Sequence, residues 1–77
     1  MRNLSTIAHE IAQSWGEKVN FAALPYLKAM GRMRSIKDNY GMDSGEEIVL
    51  RFLCNATTWR GADARRVKAE LKEMING

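Results

Sequence analysis

Apolar residues recur along this chain at steps of three and four rather than two, the spacing that keeps side chains on one stripe of an α-helix. The first run is Leu4, Ile7, Ala8, Ile11, Ala12 and Trp15, with Asn3 placed to cap its start and Gly16 to end it. A second helix is predicted to begin between Phe21 and Pro25, because proline lacks the amide that a helix interior needs yet suits a first turn. Tyr26, Leu27, Met30, Met33, Ile36 and Tyr40 fall on its apolar side and Lys28 and Arg32 on the other, until Asn39 and Gly41 break the pattern. Gly31, in its middle, weakens this helix by about 1 kcal/mol.

Ser44, Gly45, Glu46 and Glu47 match a capping box, in which the serine oxygen takes the amide three residues on and the glutamate reaches back. In the helix that follows, Ile48, Val49, Leu50, Phe52, Leu53 and Cys54 cover most of the circumference. This third helix is therefore expected to be central and the most buried. A polar turn with Thr57 and Thr58 comes next, and Ala64, Val67, Leu71, Met74 and Ile75 define a last amphipathic helix. The pattern predicts an all-α, compact four-helix domain with short connections, with residues 1–77 forming a single helical domain. Met30, Met33 and Met74 sit at helical apolar positions and are expected to fill the core.

A chain of 77 residues buries only about 60 to 65 per cent of its unfolded surface, so a large enclosed active site is not expected. With 45% apolar and 27% charged residues it lies outside the signature of disorder, and folding without a partner is expected. The single Cys54 cannot form an intrachain disulfide, which favours a reducing, cytoplasmic compartment. There is no run of about 18 apolar residues, and Glu10 and Gln13 interrupt any signal-peptide core. Neither a membrane-spanning segment nor export by that route is expected.

Catalytic chemistry finds few candidates. His9 is the only histidine, and with one distant cysteine it cannot build a zinc site of four Cys and His ligands. Cys54 lies on the apolar third helix with only Arg51 as a basic neighbour, which suits a buried thiol better than a nucleophile. Glu46 and Glu47 are adjacent and point about 100° apart, so capping explains them better than acid–base pairing. No glycine-rich phosphate loop or nucleophile elbow is present. The expectation is a non-enzyme without cofactor or metal.

Charge placement is the strongest functional cue. Twelve Lys and Arg against nine Asp and Glu give a net charge of +3 and permit an acidic partner. Arg65, Lys68 and Lys72 fall at i, i+3 and i+7 and form a basic stripe on the last helix, with Arg60 just before it. Lys28 and Arg32 make a second basic spot, while Arg66 can pair with Glu70 or Asp63. Trp59, in the turn next to Arg60, either lids the core or stays partly exposed as an anchor, and the lid is preferred. A DNA-reading helix-turn-helix fits poorly, because the turn from Asn55 to Gly61 is long and Asp63 would face phosphates.

Three segments, Ala23 to Met30 (ALPYLKAM), Asn39 to Val49 (NYGMDSGEEIV) and Asn55 to Leu71 (NATTWRGADARRVKAEL), carry a resemblance to small phage- and prophage-encoded helical proteins of unknown function. The resemblance implies a viral or mobile-element origin. Together with the charge pattern it leads to the expectation of an accessory, protein-binding module in the host cytoplasm. The surface to consider is Trp59, Arg60, Arg65, Lys68 and Lys72. The alternative is a nucleic-acid-binding protein that uses the same basic face with Lys28 or Arg32. Either would act as a monomer or a small homo-oligomer.

Overall fold

The computed structural model describes residues 2–76, apart from the side chain of Tyr40. Helix α1 (Leu4–Trp15) starts where the Asn3 side chain accepts the Ser5 amide at 2.9 Å. It stops at Gly16, whose φ of +63° is a conformation other residues adopt at a cost. A 3₁₀ turn (Gly16–Lys18) leads to α2 (Leu24–Met30), with Pro25 in its first turn as the sequence predicts. A short hairpin pairs β1 (Asn39–Tyr40) with β2 (Asp43–Ser44), in the register Asn39 to Ser44 and Tyr40 to Asp43. Gly41 at its tip has φ +65° and Met42 does not, the pattern of a tight hairpin turn with glycine at its first central position. Helices α3 (Gly45–Asn55) and α4 (Ala62–Asn76) complete the chain.

The helices form a ring in which α1 packs on α2 and α4, and α3 packs on those same two. One continuous core fills the ring, lined by Leu4, Ile7 and Ile11 from α1, Met30 from α2, Val49 and Phe52 from α3, and Val67 and Leu71 from α4. The radius of gyration of 11.1 Å is close to the ~11.5 Å of a single folded body of this length. The compact, all-α, four-helix architecture is thus the one the periodicity predicts, although the connection from α2 to α3 is longer than expected and carries the hairpin. The buried methionines Met30, Met33 and Met74 belong to the core as expected.

Several details differ from the sequence expectation. Helix α2 ends at Met30 instead of running to Asn39, because the amides of Arg32 and Met33 turn to carbonyls three residues back. Asp38 then captures the amides of Arg34 and Ser35 at 3.0 and 3.2 Å, which holds the segment in turns. Met33 and Ile36 still reach the core from there, whereas the side chain of Tyr40, expected on the same stripe, lies outside the described residues.

The third helix does put Phe52 into the centre, but burial is shared with its neighbours rather than concentrated in it. Its buried positions are Gly45, Ile48, Val49 and Phe52, one face at helical spacing, against five buried residues on α1. Leu50 and Cys54 lie on the opposite side and are exposed, which corrects the expectation of a buried thiol. On α1, Ala12 is likewise exposed. The capping box is half made: Ser44 Oγ accepts the Glu47 amide at 3.2 Å, while the Glu47 carboxylate takes Arg51 at 2.8 Å.

Candidate basic binding face

The turn between α3 and α4 is built around Trp59. Its amide donates to the Ala56 carbonyl at 3.1 Å, which folds the chain back. The indole is 4% exposed and stacks on Trp15, with ring centroids 5.7 Å apart and planes 17° from parallel. Trp15 in turn meets Phe52 edge-on at 6.3 Å, so the turn is anchored to α1 and α3 by an aromatic chain. Trp59 is therefore the lid of the core and not an exposed anchor.

Lys68 has a different role from the one its place on the basic stripe suggests. Its ammonium donates to the carbonyls of Ala56 and Trp59, both at 2.7 Å, and lies 5.8 Å from the centroid of the Trp59 ring. Ala56 is the C-terminal cap of α3, where a cation is favoured by the exposed carbonyls and the helix dipole. Burial, then the nearby charges of Lys72 and Arg60, push the Lys68 pKa down. Its hydrogen-bonding capacity is largely used within the chain, which corrects its assignment as a free partner contact.

Around this closed turn, Arg60, Arg65 and Lys72 are exposed and make no ion pair with any carboxylate among the described residues. Lys18, in the 3₁₀ turn after α1, joins them. It lines a hollow of about 440 Å³ with Ser14, Thr58 and Arg60, floored by the two tryptophans. A second hollow of about 260 Å³, between Thr57, Arg60, Arg65 and Lys68, lies on the other side of Arg60. Hydroxyls and unpaired cations thus flank Arg60 on both sides, a setting in which carboxylate or phosphate oxygens find both charge and hydrogen-bond donors. Lys18 has no signal in the sequence pattern. It reaches this face only because Trp15, three residues earlier, stacks on Trp59.

The chain's interhelix ion pairs are collected elsewhere. Arg2 pairs with Glu10 and Glu70, both at 2.6 Å, and Arg66 pairs with Glu10 and, at 3.5 Å, with Asp63. Arg66–Asp63 lies within α4; the others, with Arg2 just before α1, stitch the seam between α1 and α4. The Arg66 and Arg2 guanidiniums hold the Glu10 carboxyl below the usual carboxylate range, and Arg2 does the same for Glu70. Arg66 bonds across to Glu10 rather than to Glu70. Lys28 and Arg32 are exposed too, but Lys28 borders a separate hollow between α1 and α2, and neither lines the hollows around Arg60.

The two residues weighed for chemistry lie apart. His9 is on the exposed side of α1, where its ring nitrogen accepts from Gln13 at 3.3 Å, and Cys54 is on the outer side of α3. Among the described residues no three His, Cys, Asp or Glu side chains gather as a metal site, and no helix is long and apolar enough to cross a membrane. Compared with known proteins, the chain matches no family model, and neither a curated protein nor a solved structure has significant similarity to it.

Proposed function

We propose that this chain is a non-enzymatic binding module that holds an acidic surface of a protein partner against Lys18, Arg60, Arg65 and Lys72, as an accessory factor of a phage or mobile element acting in the host cytoplasm. The observation that carries the reading is charge segregation. Carboxylates on the α1–α4 seam are matched by Arg2 and Arg66, while the cations around the Trp59 turn have no carboxylate partner among the described residues. An unneutralised cluster of this kind accelerates encounter with a surface of opposite charge and selects against basic ones. Because Trp59 and Lys68 tie the turn to the core, the backbone that carries Arg60 is already in place before a partner arrives.

The test is capture from host lysate by the immobilised chain and by an Arg60→Glu, Arg65→Glu variant. The partner is then purified and its affinity measured against salt. Loss of capture in the variant and weakening with salt are the expected results. Equal capture by both proteins would refute the face.

A second reading is nucleic-acid binding, favoured by Ser14, Thr57 and Thr58 beside Arg60, since phosphate contacts commonly combine hydroxyls with Arg and Lys. It ranks below the first because the buried Trp59 offers no platform for base stacking and Asp63 sits in the first turn of α4. Titration of labelled duplex and single strands at low and moderate salt separates the two. Salt-sensitive micromolar binding, abolished by Arg60→Glu, would replace the protein-partner reading.

A further inference from the structure

The outer sides of α3 and α4 carry an apolar groove that the basic face does not use. Leu50, Leu53, Cys54 and Ile75 line a hollow of about 380 Å³, bordered by Lys72 and Asn76. Leu50 is 46% exposed and Cys54 is exposed, so this is the side of α3 turned away from the core. Glu46, Leu50 and Cys54 follow one another at intervals of four, which places them on a single line with steps of about 6 Å.

Helix α4 runs back along α3. Lys68 reaches the Ala56 carbonyl at the end of α3, whereas Lys72, Ile75 and Asn76 border the stretch from Cys54 to Leu50. The groove is therefore basic at the Cys54 end, where Lys72 borders it, and Glu46, one turn before Leu50 on the same line of α3, stands just past its other end. Neither residue has an ion-pair partner within its own chain among the described residues.

We propose that this groove is a self-association surface, on which a second copy of the chain docks about a two-fold axis passing near Leu50. Glu46 is as far before Leu50 as Cys54 is beyond it. A two-fold at Leu50 therefore sets Glu46 of each copy opposite the Cys54 level of the other, where Lys72 stands. The two leucines meet at the axis, and two Glu46–Lys72 pairs close the ends. A parallel arrangement, with its two-fold along the helix, would put Lys72 against Lys72 and is disfavoured by like charge, so the charge pattern selects the antiparallel one, with the axis across α3. Such an isologous contact covers Leu50, Cys54 and Lys72, so the dimer takes Lys72 from the basic face and leaves Arg60, Arg65 and Lys18 to meet the acidic partner. It does not depend on the nature of the partner at the basic face.

Sedimentation equilibrium of the full chain over a concentration series is the test, with Glu46→Lys, Lys72→Glu and the double variant compared. Both positions are exposed, so each variant is expected to fold, which circular dichroism checks before sedimentation. The expected result is a concentration-dependent dimer that weakens about tenfold in each single variant and recovers in the charge-swapped double. In a Cys54→Ser background, Leu50→Cys is expected to form an intermolecular disulfide under mild oxidation at concentrations where the dimer is populated. A chain that stays monomeric throughout overturns the proposal and points to an amphipathic helix of another protein as the occupant. A dimer indifferent to both charge reversals, without the Leu50→Cys cross-link, overturns it as well, since association then uses a different surface.

Discussion

Replacing Lys68 by Met removes one ammonium and keeps most of the stem that packs beside Trp59, so it isolates what the charge does. Two hydrogen bonds of 2.7 Å are lost. Their consequences are unequal. The Ala56 carbonyl retains the Trp59 amide at 3.1 Å, whereas Lys68 is the donor that reaches the Trp59 carbonyl across the turn. Leaving one partly buried carbonyl unpaired costs about 1–3 kcal/mol, and the lost cation–π contact adds about 0.5 kcal/mol. Against this, the lowered pKa of Lys68 indicates that its charge is held there at a desolvation cost, which methionine recovers. The balance is a destabilisation of about 1–2 kcal/mol. With a urea m-value of about 1 kcal/mol/M, the unfolding midpoint should fall by roughly 1–2 M at unchanged slope. The pH dependence supplies a second check. The folded pKa lies below the unfolded one, so the unfolded chain binds more protons in the window between them, and stability should rise with pH as the ordinary lysine value is approached. Lys68→Met should flatten that rise. A midpoint equal to that of the parent chain would refute the assignment of Lys68 as a brace of the turn.

Gly45→Ala should destabilise the chain, because an added Cβ would sit 2.6 Å from the Ile36 carbonyl oxygen and 2.7 Å from Met33 Cε. The backbone there is held by the Gly45 amide donating to Asp38 at 2.7 Å, so a loss of about 1–3 kcal/mol by thermal melting is expected despite the better helix propensity of alanine. Glu10 and Glu70 are more acidic in the folded chain than in the unfolded one. They therefore contribute stability in full above the ordinary carboxylate pKa and lose it as pH falls through their lowered folded values. Urea midpoints measured downward from about pH 6 should decline less steeply in Arg2→Met than in the parent. Trp59→Ala should cost about 3–5 kcal/mol and bring the chain close to unfolding, as read from its helical circular dichroism.

Local signals in the sequence are legible where the physics is local. Asn3, Gly16, Pro25 and Ser44 each act within a few residues of their own position, and each does what its side chain or backbone freedom dictates. The end of α2 was not legible, because the stripe from Tyr26 to Ile36 continues at helical spacing. The helix gives way where the amides of Arg32 and Met33 turn to carbonyls three residues back, and the Asp38 side chain on Arg34 and Ser35, with the Gly45 amide on the Asp38 carbonyl, keeps it from resuming. The pattern places Leu50 and Cys54 in the core because apolar character alone does not say which of two apolar faces meets the neighbouring helices. At the binding face the spacing of Arg65, Lys68 and Lys72 was sound, yet the diversion of Lys68 to two carbonyls depends on where the turn after α3 lies. Lys18 could not have been found without the Trp15–Trp59 stack.

The Arg2–Glu70 contact joins residues 68 positions apart in sequence. Bringing such distant points together costs on the order of 4 kcal/mol of loop-closure entropy if nothing else has formed, whereas the α3–α4 pair closes over a turn of only a few residues. Folding should therefore begin with α3, the Trp59 turn and α4, with α2 adding to α3, and the α1–α4 seam should close late. Substitutions in the Arg2, Glu10, Arg66 and Glu70 cluster will then speed unfolding while leaving the folding rate nearly unchanged, and those at the Trp59 turn will slow folding. The seam acts as a clasp on a ring already assembled. It sets how long the folded chain survives rather than how quickly it forms.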